Sequence, residues 1–363
     1  MEFDELLSTL RTRRWFLAAA GASAAMAAAP RTAFAQAKLA GPLNWYAFGT
    51  LYSDPFLLEP WAKETGVEVK QTPWTGADEM SAKLRSGAAK LFDGAAIPQQ
   101  WIRLFAKENL IEPIDLRNVP NFAKLFPEFA KSGYVNFDGQ VWGVPWVWGA
   151  NAIAYNKKDI PDVTSMSVLF DEKYKGRIAM RDDPEDSLAV AALYMGIKEP
   201  YSMTEAQLQE AKKLLVKQKP LVRAYWKSPA DLQTMFANGE ISVAWAQLGV
   251  VDPLRKAGID MGWVWPKEGV LGFFNGNCTV KGTKKKREAE VFANYLIGPD
   301  YGKRLGEKSG YATTSDLAVA RMSPETLAKV GIDPGKLKLL TFKELIPNRP
   351  TWQRLMDEVK ASS

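Results

Sequence analysis

The sequence predicts an α/β protein of two lobes, each a mainly parallel sheet flanked by helices, and three observations carry that prediction. The 363 residues suffice for about two domains of ordinary size. From residue 39 the chain reads βαβαβα, the order that gives a parallel sheet covered by helices on both faces. A second α/β stretch begins near Gln140 with no repeat or low-complexity linker before it, so the lobes are expected to be joined by extended crossings.

The start of the chain reads as a leader. Thr12-Arg13-Arg14-Trp15-Phe16-Leu17 precedes an alanine-rich apolar stretch and Ala33-Phe34-Ala35, a small-x-small cleavage signal. The run Trp15 to Ala29 falls short of the about 20 strongly apolar residues that a spanning helix needs. A secretory leader cut after Ala35 is therefore expected rather than an N-terminal anchor. Its arginine pair and following Phe-Leu resemble a twin-arginine signal, which exports cargo already folded and makes the twin-arginine translocase a partner during export.

After the leader, "KLAGPLNWYAF" is read as a strand, "DPFLLEPWAKETG" as a helix closed by Gly66, and "VEVKQTPW" as a strand. "ADEMSAKLRSGAAK" follows as a helix, "LFDGAAIP" as a short buried strand and "QWIRLFAKENL" as a helix. The second stretch gives strand "GRIAM", helices "DSLAVAALYMG", "TEAQLQEAKKLLVKQ" and "PADLQTMFANG", strand "ISVAWAQ", helix "VVDPLRKAG" and strand "DMGWVWP". Crossings are expected near Trp146 to Ala150 and Val264 to Phe274. Both are rich in aromatics, and a cleft between them would be walled with Trp and Phe.

Composition removes several chemistries. With no histidine and the single Cys278, the chain has no internal disulfide, no zinc site of the usual spacing and no His-activated nucleophile. No metal or cofactor is expected. The 13 Trp and 17 Phe exceed what core packing usually takes, so some rings are expected on a binding surface. The basic run Lys284-Lys285-Lys286-Arg287 precedes an amphipathic helix, "REAEVFANYLIGPDYGKRL". With no basic stripe elsewhere, it reads as a solvated helix start rather than a nucleic-acid or membrane surface.

"RDDPEDS", residues 181–187, places four carboxylates within five positions. As structure, Asp183 suits an N-cap, Pro184 the first helical position, and Asp186 completes something close to a capping box. As function, the cluster follows strand "GRIAM", where such a lobe presents residues to a cleft, and Asp183 and Asp186 can face one side. Carboxylates beside indoles suit a cationic amine, whose charge is attracted to ring faces and to charge-assisted acceptors. The same rings with a neutral ligand would make a sugar site.

From about Leu39 to Lys360 the chain resembles the spermidine/putrescine-binding proteins of ABC transporters, a branch of the two-lobed periplasmic solute-binding proteins. The matching stretches are "LNWYAF", "WAKETGVEV", "AKLRSG", "VPWVWGANAIAYN", "VWPKEG" and "ANYLIGPD" followed by "SGYATTS". The resemblance implies a type II periplasmic-binding-protein fold with its ligand cleft between lobes, here residues 38–147 with 272–315, and 148–271 with 316–363. It implies a periplasmic monomer that hands a small organic amine to a membrane permease, with no catalysis and no nucleic-acid partner.

Carried over residue by residue, the resemblance implies Trp45 and Trp101 as aromatic walls, Asp183 and Asp186 as carboxylates for the amine, Trp245 as a stacking platform, and Tyr311 near the cleft. Phe48 stands where the family often has Tyr, and Phe273 where a Trp is common. Asn275 stands where a carboxylate commonly takes the ligand's other ammonium, which puts a long polyamine in doubt. Each has a bland counterpart: Trp45 and Trp245 as buried strand aromatics, only one of Phe273 and Phe274 facing the cleft, and Asn275 turning the chain with Gly276. Arg349, in "PNRP", either approaches the cleft to pair with a ligand carboxylate or sits in a surface loop. An amino acid such as γ-aminobutyrate, a betaine or a sugar remains an alternative ligand. A glycoside hydrolase with paired carboxylates is the rival from another class.

Overall fold

The computed structural model of the protein describes residues 38–362 apart from positions 50, 310, 332 and 347. The expected leader, its arginine pair and the cut after Ala35 lie outside the described residues. Of the unit Met1–Ala40 only residues 38–40 are described, and every element below belongs to the unit Gly41–Ser363.

The first stretch folds as its alternation predicts: β1 Leu43–Phe48, α1 Pro55–Thr65, β2 Val69–Trp74, α2 Ala77–Arg85, β3 Gly94–Pro98 and α3 Gln99–Lys107. Local chemistry sets α1. The Asp54 carboxylate accepts from the Phe56 amide, Pro55 opens the first turn, and Gly66, at φ 71°, closes the last. Strand β1 pairs in parallel with both β2 and β3. Short elements follow, β4 Ile111–Glu112, α4 Pro127–Ala130 and the hairpin β5 Asn136–Phe137 with β6 Gln140–Val141, and lead into the long β7 Val144–Asn156.

The second stretch contains β8 Ile178–Arg181, α5 Pro184–Tyr194, α6 Glu205–Gln218, β9 Val222–Trp226, α7 Pro229–Ala237, β10 Val243–Gln247, α8 Leu248–Lys256 and β11 Met261–Val264. Strand β9, "VRAYW", escapes the sequence reading because it is an end strand of the sheet, largely half-buried and interrupted by an exposed arginine. The chain then returns through β12 Val270–Val280, α9 Lys286–Leu296, α10 Pro299–Ser309, β13 Ala312–Thr313, α11 Asp316–Val319, α12 Pro324–Val330, β14 Leu340–Phe342 and α13 Arg349–Ala361.

One expected helix is two. "REAEVFANYLIGPDYGKRL" breaks at Gly298, whose amide turns back to the Tyr295 carbonyl, and Pro299 opens α10 because its ring cannot continue α9. The basic run before it is held by carboxylates: Lys285 lies 3.5 Å from Asp93, and Lys286 lies 3.5 Å from Glu112 and 3.7 Å from Glu290.

Twelve strands join in one sheet among the described residues, with β2-β1-β3-β12-β7-β10-β8-β9 as its main path. The β2-β1-β3 and β10-β8-β9 ends are parallel, while β12 and β7 run antiparallel to their neighbours at the centre. Both central strands serve more than one core. Trp148, Ala150 and Ala152 of β7 pack with Tyr46, Phe105, Phe129 and Phe274, whereas Ile153 and Tyr155 pack with Leu188, Trp245 and Trp352. The stretches expected as crossings lie in β7 and in the segment from β11 into β12.

Candidate ligand-binding site

The site forms where β7 lacks a neighbour. On the edge facing away from β12, β7 pairs with β13 up to Trp148 and with β10 from Asn151, so Gly149 and Ala150 lie between two partners. A cavity of about 200 Å³ occupies this gap. The carboxyl end of β10, where the chain turns into α8, brings Gln247 and Leu248 to it, and five rings wall it: Trp148, Trp263, Trp265, Phe273 and Tyr311. Such strand ends are where α/β sheets present ligand sites.

Backbone acceptors fix two of the indoles. Trp148 Nε1 donates to the Thr313 carbonyl at 2.8 Å, and Trp263 Nε1 donates to the Ala246 carbonyl at 3.1 Å. Trp265 links them edge to face, with centroids 6.1 Å from Trp148 and 6.3 Å from Trp263. In the same cavity, Phe273 meets Tyr311 at 6.4 Å and 81°. Burial pushes the Tyr311 phenol upward while Arg181 pulls it down, and the net shift is upward, so it stays protonated at neutral pH. No carboxylate lines the cavity among the described residues.

The acidic cluster lies close by, at the start of α5. Asp183 caps that helix, accepting from the amides of Glu185 at 2.9 Å and Asp186 at 3.2 Å. Asp186 turns to three other groups: it accepts from Asn151 Nδ2 at 2.9 Å and Arg181 at 3.0 Å, and lies 3.6 Å from Lys343. Lys343 Nζ is also 2.9 Å from Glu185 and 3.2 Å from Asp183, and Arg349 is 2.9 Å from Glu185. Three carboxylates thus face three cations. Asp182 stands apart, paired with Lys360 and Lys227.

Charge sets the protonation of this group. Burial raises the Asp183 carboxyl, but Lys343 and Arg181 outweigh it and hold the carboxyl below its ordinary value. Burial lowers the Lys343 ammonium, and Asp186, Asp183 and Glu185 more than reverse that, holding it above the ordinary lysine range. The lysine is fixed at its backbone as well. Its amide donates to the Gly272 carbonyl at 3.0 Å, and its carbonyl accepts from the buried Gln99 side chain at 2.9 Å.

Of the residues singled out from the sequence, Phe273 and Tyr311 meet in the cavity, and Asp183 and Asp186 meet at the ion cluster. The others lie elsewhere. Trp45 is fully buried in β1, donating to Asn277 Oδ1 at 2.7 Å with its ring against Phe292. Trp245 is fully buried in β10, and its carbonyl accepts from the Trp226 indole. Phe48 ends β1 exposed, with its edge on Trp74, and Trp101 lies half-buried on α3 against Phe105. Asn275 is buried at a β-bulge between β12 and β7. Arg349 reaches Glu185 and lies 3.5 Å from Asp78 on α2, with a largely exposed side chain.

The wall indoles Trp148, Trp263 and Trp265, and the cations Arg181 and Lys343, were not singled out individually. The indoles did leave a signal, since both crossings are aromatic-rich; Lys343 left none.

This fold is that of a two-lobed periplasmic binding protein of type II. The family model for bacterial extracellular solute-binding proteins matches residues 57–330, and the chain belongs to that family. It is 30% identical over 290 residues to the spermidine/putrescine-binding periplasmic protein of Escherichia coli, covering 78% of this chain and 79% of that protein. It is 27% identical to the putrescine-binding periplasmic protein PotF of the same organism, covering 92% and 94%. Among solved structures, the spermidine/putrescine ABC transporter substrate-binding protein PotD of Streptococcus pneumoniae superposes with a TM-score of 0.78 at 22% identity, covering 88% of this chain and 99% of that one.

Proposed function

We propose that this protein is the extracytoplasmic substrate-binding component of an ABC transporter, capturing a polyamine or related small organic amine and delivering it to a membrane permease. The observation that carries the reading is the five-ring cavity in the gap of β7, between strands that serve both lobes. Ring faces attract an ammonium, and a desolvated contact contributes about 2 kcal/mol. Three or four such contacts sum to about 6–8 kcal/mol before the cost of ordering, so micromolar affinity, about −8 kcal/mol, also draws on hydrogen bonds and apolar burial in the cavity. The periplasmic amine-binding relatives support both ligand class and location.

The mechanism is hinge closure. A ligand touching Phe273 and Tyr311 on one side and Trp263 on the other favours the closed state by its differential affinity, and the permease recognises that state. The part of the chain gathered around the Tyr46 core moves against the part gathered around the Trp245 core. The chain makes and breaks no bond. A twin-arginine leader delivers it folded to the periplasm and is removed after Ala35.

Calorimetric titration of residues 36–363 with spermidine, putrescine, γ-aminobutyrate, a betaine and maltose tests the reading. Saturable heat with an amine at micromolar concentration is expected. A response to maltose alone would refute it.

A further inference from the structure

The carboxylates expected to receive a ligand's ammonium already hold one that belongs to the chain. We propose that Lys343 is a specificity-determining residue: its ammonium occupies the Asp183, Glu185 and Asp186 carboxylates, so the cleft selects an amine presenting a single cationic head to the aromatic cavity and rejects one that carries a second. This rests on the amine reading above and narrows it to the small organic amine with one cationic head, setting the polyamine aside.

Three observations support the assignment. First, the charges match, with three carboxylates facing Lys343, Arg181 and Arg349, so an added ammonium would find no uncompensated acid. Second, the lysine is built in. Its peptide group is bonded on both sides, to Gly272 and to Gln99, and Gln99 in turn accepts from the Phe274 amide at 3.0 Å, tying Lys343 to the strand that carries the cavity wall Phe273. Third, the cluster is tied to the strand that lines the cavity. Asn151, which holds Asp186, lies two residues along β7 from Gly149 in the cavity wall, roughly 7 Å at the rise of a strand. A four-carbon diamine spans about 6 Å at ordinary bond lengths. A diamine seated in the cavity would turn its second ammonium toward a cluster whose carboxylates are already matched by Lys343, Arg181 and Arg349, so that charge would lose hydration with no free acid to receive it.

The test compares n-butylamine with putrescine, which share a carbon skeleton and differ by one ammonium. Both are titrated calorimetrically into the wild-type protein and Lys343→Met, with Lys343→Gln as a second variant should the first fail to fold. In the wild type, butylamine is expected to bind at least as tightly as putrescine. In the variant, the affinity ratio should move toward putrescine by at least tenfold, and putrescine should raise the variant's melting temperature.

A wild type that prefers putrescine tenfold or more, or a ratio that moves less than tenfold, would overturn the proposal. A wild type that binds neither amine would sink the amine reading alone if the variant gains putrescine binding, and both ideas if it does not.

Discussion

The Phe273 ring lies flat over Gly149: a Cβ at position 149 would come within 2.7 Å of Phe273 Cζ. The missing side chain gives the ring its place in the cavity wall. Gly149→Ala is expected to push Phe273 off that place, costing about 1–3 kcal/mol of stability by overpacking and weakening amine binding at least tenfold. Chemical denaturation and calorimetry read the two effects. Adding Phe273→Leu should recover most of the stability but not the affinity, whereas recovery of both would mean that the ring does not contact ligand.

Trp263 presents a half-buried indole to the cavity. Trp263→Leu removes its π face and should cost about 2 kcal/mol of amine affinity, close to thirtyfold. Trp263→Phe should cost less, because a ring face remains. Equal losses in the two variants, measured by the same titration, would point to lost packing instead of cation attraction.

Asp186 is almost wholly buried and faces both Arg181 and Lys343. Asp186→Asn leaves those cations short of a partner and is expected to destabilise the fold by about 3 kcal/mol, as breaking buried ion pairs does. The urea midpoint should fall with little change in slope. An unchanged midpoint would show that solvent screens the pair.

The ion cluster predicts a flat pH response around neutrality. Asp183 has its folded pKa below the ordinary 3.8, so its contribution is present above that value and is lost as pH falls through the folded one. Lys343 has its folded pKa above 10.5, so its contribution is present below that value and is lost as pH climbs through the folded one. The stability difference between wild type and Lys343→Met should therefore stay constant from about pH 5 to 9. A steady slope within that window would contradict the assigned charges.

What the sequence made legible was local. Asp54 and Gly66 sit directly at the two ends of α1, and Asp183 caps α5 as its neighbours predict. What it hid was held by distance. Trp45 is anchored by Asn277, 232 positions away, and nothing near it separates a core indole from a cavity indole. Trp146 and Trp148 stand two apart, yet Trp146 packs on Trp45 and Tyr52 while Trp148 turns to Trp265. Lys343 meets Asp183 across 160 positions, from a segment with no motif of its own. The acidic cluster forms the cap its residues suggest; that the ammonium beside it is the chain's own, from Lys343, could be seen only in three dimensions.

Because β7 and β12 each serve more than one core, the order in which the chain is made bears on how it can fold. The core around Tyr46 gathers residues as late as Leu337, and the one around Trp245 reaches Val359. A ribosome that has polymerised the first 260 residues has yet to supply β12, the strand that seals β3 against β7. Neither hydrophobic centre is complete until those late residues have been added. Such long-range closure is slow, leaving a window in which the nascent chain exposes apolar strands to chaperones.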